Sequence, residues 1–317
     1  MLERFVPCLW SPMEFANLFG VIYVALVIVA LFLANAYFTC PILYGDEQCA
    51  IYIRYGWVIV AEIVANFVCF HVFSRRNRIS NLLPGKMRSD QFNTPVMDGY
   101  PDRNCVAPSD PHTKYCISCQ EVVPIKAHHC PLCKYCVLRK DHHCIILGSC
   151  VGFGNQRYFI MFLLWASIGA AFGTTLTFLY LNRFYKPFLP WGWIDYIAPM
   201  AMKHFLFKEY TKLWDLALCL LVSFGAASTL GAFGFCISQL FFVLKGTTMY
   251  EFGKKLSKAE YVSPGNLNHE PATIRERILA TFGPYYLVNL VFPAFFFPNR
   301  LTPAYRRVLQ DYYLKDM

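Results

Sequence analysis

Between Asn17 and Thr39 the chain runs without a charged residue for long enough to cross a membrane. Three further blocks share that character: Trp57 to Phe73, interrupted by Glu62, then Tyr158 to Tyr180, then Leu216 to Leu244. A helix needs about 20 mostly apolar residues to span a bilayer, with about 17 as the lower end of the range. The blocks therefore predict an all-α membrane protein, a four-helix transmembrane bundle. Composition agrees: 15% of the 317 residues are charged, against about a quarter in soluble domains. The first block is too long for the apolar core of a cleaved signal peptide, and one basic residue, Arg4, precedes it. It reads as a retained signal anchor.

Lysine and arginine set the orientation. Of the 29, 12 lie from Arg75 to Arg157 and 10 from Lys245 onward, whereas the connection Cys40 to Gly56 has only Arg54. Both termini and the middle segment read as cytosolic, with Arg183, Lys186, Lys203, Lys208 and Lys212 pulling mildly the other way. The partition is a cytosolic N-terminus over 1–16, spans over 17–39, 57–73, 158–180 and 216–244, and a cytosolic linker over 74–113. A Cys/His-rich domain fills 114–157, a lumenal or interfacial loop 181–215, and a cytosolic tail 245–317. In the loop, Pro187 to Trp193 breaks any single spanning helix and suits Trp191 and Trp193 to headgroup depth. The apolar stretch Tyr285 to Phe297 is too short to cross and is expected against the membrane or the bundle. The net charge of +9 fits the positive-inside bias and attraction to anionic lipid. Binding of a phosphorylated ligand is compatible with it. Basic residues that flank spans and form no separate basic fold argue against nucleic acid as a partner.

The segment from Lys114 to Gly154 has too few large apolar residues for a core of its own. It does hold 7 of the 14 cysteines (Cys116, Cys119, Cys130, Cys133, Cys136, Cys144, Cys150) and 4 of the 8 histidines (His128, His129, His142, His143). Cys-x2-Cys spacing lets two thiolates bite one tetrahedral zinc, and a cytosolic setting argues against disulfides. Two closed sites would take eight of these eleven candidates and leave three over. In an extended segment His142 and Cys144 share one face and His143 the other. If His143 binds metal, His142 is free to sit beside Cys144, and a histidine next to a cysteine gives an activated nucleophile. Asp141 could orient the imidazole, but strict alternation puts it on the wrong face, so a bend is required. The competing reading is a pure zinc scaffold that binds partners, as ring-finger-like modules do.

The tetrapeptide Asp141-His142-His143-Cys144, with Pro124, His129-Cys130, Cys150-Val151-Gly152, Asn155, Tyr158 and Phe159 at their spacings, resembles the DHHC-type palmitoyltransferases. The run from His142 to Asn155 looks closest to a divergent branch that includes the mammalian member numbered twenty-four. The resemblance implies two interleaved zinc sites, one of Cys116, Cys119, His129 and Cys136, the other of Cys130, Cys133, His143 and Cys150. It implies two structural Zn²⁺, Cys144 as nucleophile, His142 as base and Asp141 polarising it. Palmitoyl-CoA or another fatty acyl-CoA would be the donor in a ping-pong transfer to accessible cysteines of cytosolic or membrane-associated proteins. Endomembranes, Golgi or endoplasmic reticulum, are the expected setting rather than the plasma membrane.

Several family positions differ. Ile145-Ile146 stands where Pro-Trp is usual, and Ser149 where Asn is common. The Asp-Pro-Gly motif appears as Leu83-Pro84-Gly85, and Thr-Thr-x-Glu as Thr248-Met249-Tyr250-Glu251. Arg277 precedes Phe282-Gly283 where the tail motif has Asn. These departures keep open a catalytically weak, zinc-binding membrane adaptor; a transporter has only the mid-span Glu62 in its favour. Glu62 itself suits a packing role inside the bundle. Small residues from Gly225 to Gly234 suit close helix approach. Cys40 and Cys49 form a candidate lumenal disulfide, and Cys8 a candidate acylation site.

Overall fold

The computed structural model describes residues 12–74, 105–106, 113–124, 126–207, 212–257, 273–283 and 286–291. Cys8, Leu83-Pro84-Gly85 and most of Tyr285 to Phe297 lie outside them. Three helical runs are long and apolar enough to cross a membrane: Glu14–Ser74, Gln156–Phe184 and Leu213–Lys245. The first contains helix α1 (Pro12–Ala34), a π-helical turn (Asn35–Thr39) and α2 (Cys40–Ser74). The second is α3 and the third α5. At about 1.5 Å per residue, the 61 residues of the first run would measure roughly 90 Å if straight. They do not run straight. Gly45 leaves the helical region at φ 75° and ψ 167°, a conformation that glycine adopts without steric cost. The rings of Phe32 and Trp57 then meet at 4.6 Å, so the run doubles back on itself there.

The chain forms two compact units. One takes in Met1–Gly20, Asn66–Ile160 and Ser238–Met317, the other Val21–Ala65 and Met161–Ile237. In the second, the π turn is built around a buried polar knot. Asn35 Nδ2 donates to the Leu31 carbonyl at 2.7 Å and to the Gly173 carbonyl at 3.0 Å, while Thr39 Oγ1 donates to Asn35 Oδ1 at 2.6 Å. The segment after α3 folds into a 3-10 helix (Gly192–Tyr196) and a short helix α4 (Ala198–Leu206). Buried Asp195 pairs there with Lys186 and, at 2.7 Å, with His204 Nδ1. Trp191 and Trp193 are exposed.

The first unit holds the Cys/His-rich segment, which contains no helix among its described residues. Its strands are β1 (Cys105–Val106), β2 (Thr113–Cys116), β3 (Glu121–Pro124), β4 (Ala127–Cys130), β5 (Tyr135–Leu138), β6 (His142–Cys144) and β7 (Ser149–Val151). They pair antiparallel as β1-β2-β3, β4-β5 and β6-β7. The all-α expectation is thus refined by a β-built Cys/His segment, and part of the expected linker, Cys105–Val106, serves as a sheet edge against β2. The Cys116–Cys119 and Cys130–Cys133 pairs are each followed by a left-handed residue, Gln120 at φ 54° and Lys134 at φ 59°. Their amides close onto the Cys116 and Cys130 carbonyls, each at 2.8 Å. Cysteines make up much of the core here: Cys116 and Cys136 pack with Val123, Ala127 and Leu138, and Cys130 and Cys150 pack with Val137. So little apolar volume leaves the cross-linking to the side chains that gather in the turns.

After α5 come α6 (Met249–Ser257), α7 (Ile274–Phe282) and α8 (Tyr286–Val291). Arg277 Nη1 donates to the Leu244 carbonyl at 2.6 Å, satisfying one of the carbonyls that a helix end leaves open. Arg139 Nη2 donates to the Gly246 carbonyl at 3.0 Å.

Candidate active site and metal centres

The hairpin turns bring eight side chains into two sets of four. Cys116, Cys119, His129 and Cys136 form one, Cys130, Cys133, His143 and Cys150 the other, with the ligand atoms of each set within 4.8 Å of one another. In the first, His129 Nδ1 lies 3.2 Å from Cys119 Sγ and 3.7 Å from Cys116 Sγ, and Cys119 and Cys136 Sγ are 3.7 Å apart. In the second, His143 Nδ1 lies 3.3 Å from Cys133 Sγ and 3.5 Å from both Cys130 and Cys150 Sγ, with Cys133 and Cys150 Sγ at 3.6 Å. Bonds of about 2.3 Å to sulfur and 2.0 Å to nitrogen around a tetrahedral zinc place neighbouring ligands about 3.5–3.8 Å apart. Both sets have that size and the thiolate-rich chemistry that zinc prefers. His143 is further fixed by its other nitrogen, Nε2, which faces Asn17 Oδ1 on α1 at 3.1 Å, a partner that selects Nδ1 for the metal.

His142 and Cys144, which the two sets leave over, lie together. Asp141 stands just ahead of β6, where Arg139 at φ 44° turns the chain and the Asp141 amide donates to the Val151 carbonyl at 2.9 Å. That is the bend which strict strand alternation lacks. It lets Asp141 Oδ2 reach His142 Nδ1 at 2.7 Å. The Cys144 thiol interacts electrostatically with the His142 ring, which meets Phe159 edge-on at 5.2 Å. Burial alone would lower the pKa of His142, but Asp141 and Cys144 outweigh it and push it up to about 9. His128, the remaining candidate, belongs to neither set. Its Nδ1 lies 3.1 Å from Lys114 Nζ, and its ring 4.3 Å from that of Tyr250.

Asp141 is 1% exposed and takes two more hydrogen bonds from far along the chain. Gln239 Nε2 on α5 donates to Oδ2 at 2.7 Å, and the Met249 amide at the start of α6 donates to Oδ1 at 2.7 Å. Sequence reasoning missed both. The Met249 contact uses the main chain, so residue type carries no signal of it. What frees that amide is legible: Thr248 and Glu251 cap α6 reciprocally, through Glu251 N to Thr248 Oγ1 at 3.2 Å and Thr248 N to Glu251 Oε2 at 3.1 Å.

The family departures have structural consequences. Ser149 hydrogen-bonds Ser74, the last residue of α2, at 2.8 Å. Asn155, fully buried, accepts from the Gly152 amide and donates to the Cys150 carbonyl, each at 2.9 Å. Ile145 and Ile146, which follow Cys144, are exposed, and their backbone passes close to Gly20 of α1. A Cβ on Gly20 would stand 2.6 Å from the Ile145 carbonyl oxygen and 2.8 Å from the Ile146 Cα.

Residues 109–256 match the family profile described as DHHC palmitoyltransferase. The chain therefore carries a DHHC palmitoyltransferase domain. It is similar to Palmitoyltransferase ZDHHC22 of Mus musculus, 26% identical over 192 residues that cover 58% of this chain and 61% of that protein. The Danio rerio protein of the same name is 29% identical over 182 residues, 56% of each. Palmitoyltransferase ZDHHC20 of Homo sapiens is 39% identical over 72 residues, 23% of this chain and 20% of that one. The similarity to the ZDHHC22 proteins thus spans about three fifths of their length.

Proposed function

We propose that the chain is a protein S-acyltransferase that moves a palmitoyl-type acyl group from acyl-CoA to cysteines of substrate proteins through a thioester on Cys144. The observation that carries this reading is the ordered set Asp141, His142 and Cys144, with a buried carboxylate holding the histidine at 2.7 Å. A scaffold that only binds partners has no need of a third, carboxylate-oriented histidine beside a cysteine left over from both metal sets.

The chemistry follows from the side chains. With Nδ1 engaged by Asp141, the opposite nitrogen of His142, Nε2, is the one left to move a proton. Cys144 yields its proton to His142, and the Sγ attacks the thioester carbonyl carbon. The carbonyl–sulfur bond to CoA breaks, and the CoA thiol leaves with that proton. A substrate cysteine then gives its proton to His142 and attacks the acyl-enzyme, releasing Cys144 as a thiol. Asp141 stabilises the imidazolium in both half-reactions. Zinc held by the two four-residue sets would supply the cross-links that the small core lacks.

The fold-back at Gly45 gives the first helical run two crossings, so the chain would cross the membrane four times. Both ends and the Cys/His-rich domain would then be cytosolic, where soluble CoA is available and the acyl chain lies among the spans. Golgi or endoplasmic-reticulum membranes are the proposed setting, and the branch of the member numbered twenty-four is proposed from the run His142 to Asn155 alone. The adaptor reading keeps one supporting observation, the replacement of Pro-Trp by Ile145-Ile146. Radiolabelled palmitoyl-CoA separates the two. Purified protein is expected to take up hydroxylamine-sensitive label that Cys144→Ala abolishes, and an unlabelled wild type would favour the adaptor.

A further inference from the structure

We infer that Gln239 is a positioning residue for Asp141, His142 and Cys144, and that Gln156 orients it. This rests on the acyl-transfer reading and adds to it two residues outside the Cys/His-rich strands. Gln239 lies on α5, in the candidate span from Leu213 to Lys245, and is fully buried. A buried amide in such a helix is costly unless its polar atoms are satisfied, and both ends of this one are. Nε2 donates to Asp141 Oδ2 at 2.7 Å, and Oε1 accepts from Gln156 Nε2 at 3.3 Å.

The direction of the relay is fixed by chemistry. An ionised carboxylate only accepts hydrogen bonds, so the Gln239 atom facing Asp141 is the NH₂ group. Oε1 must then face Gln156, at the start of α3 and itself 7% exposed. Asp141 Oδ2 thereby receives two donors, Gln239 Nε2 and His142 Nδ1, while the Met249 amide holds Oδ1. Three donors satisfy a carboxylate buried to 1% exposure. With Gln239 and Met249 fixing its plane, Oδ2 has one direction left, toward His142. Remove Gln239, and Asp141 gains freedom to turn away from the imidazole.

The test uses full-length Gln239→Leu and Gln156→Leu beside the wild type. Each preparation is assayed for zinc per chain, for alkylation of Cys144 by iodoacetamide, and for acylation by palmitoyl-CoA with kcat and KM separated. Gln239→Leu is expected to keep two zincs and an unchanged KM, while alkylation and kcat both fall about tenfold, less than general-base assistance as a whole contributes. Gln156→Leu is expected to show a smaller loss of the same kind. Wild-type rates in Gln239→Leu, or a loss that only tracks lost zinc, would overturn the inference. If Gln239→Leu does not fold, Gln156→Leu decides by the same readouts. A wild type that palmitoyl-CoA leaves unacylated would defeat the acyl-transfer reading, and the Cys144 alkylation rates would still decide this one.

Discussion

The two Cys/His sets have nearly the same shape and different neighbours. Both are three cysteines and one histidine, and both place the histidine Nδ1 between 3.2 and 3.7 Å from cysteine sulfurs. The first set cross-links the ends of β2, β4 and β5 with the turn after β2. The second takes His143 from β6 and Cys150 from β7, the hairpin that also carries His142 and Cys144. His143 of the second set is therefore a direct chain neighbour of both His142 and Cys144, the proposed base and nucleophile. On the proposed function the difference teaches that equal ligand chemistry would serve unequal purposes: the first set would hold the domain, and the second would also aim the hairpin that carries Cys144.

That contrast can be broken by experiment. Cys150→Ala and Cys116→Ala should each lower the metal content from two zincs to one, by elemental analysis of purified protein. Cys150→Ala should abolish acylation of Cys144, whereas Cys116→Ala should leave measurable activity in whatever protein stays folded. Equal residual rates per folded chain would erase the distinction. Next in size, Asp141→Asn should keep both zincs and cut the acylation rate by about 10²–10⁴, the range that an orienting acid and its base control. A loss of zinc in Asp141→Asn would mean that the carboxylate serves the metal and not the histidine. The smallest effect is expected at Asn17, which touches only the second set. Asn17→Leu should weaken one of the two zincs by about 10- to 100-fold in a chelator competition and leave the other unchanged.

Much of this site was legible because cysteine and histidine spacing is a local code. Two-residue gaps and a surplus of three over eight ligands can be read without knowing the fold, the resemblance implies which eight they are, and the structure gathers those eight residues into two sets. What could not be read comes from far along the chain. Gln239 and Asn17 lie in apolar helices where single polar residues have many uses, and Met249 acts through an amide that any residue but proline supplies. The bend that brings Asp141 to His142 depends on the positive φ of Arg139, which arginine does not announce. The spans show the same division. Four apolar blocks are plain in the sequence, but the first two join as one helical run, because the residues between Thr39 and Trp57 stay helical except at Gly45. The β character of the Cys/His segment was hidden by strands of two to four residues, too short for a period to appear.

The most direct test of the account is the site of acylation. After brief exposure to palmitoyl-CoA, peptide mass spectrometry of the intact enzyme should find the acyl group on Cys144 and nowhere else in residues 114–157, with two zincs still bound. Acyl group on any of the eight set members, or on none of these cysteines, would contradict the division between six metal-binding cysteines and one reactive thiol.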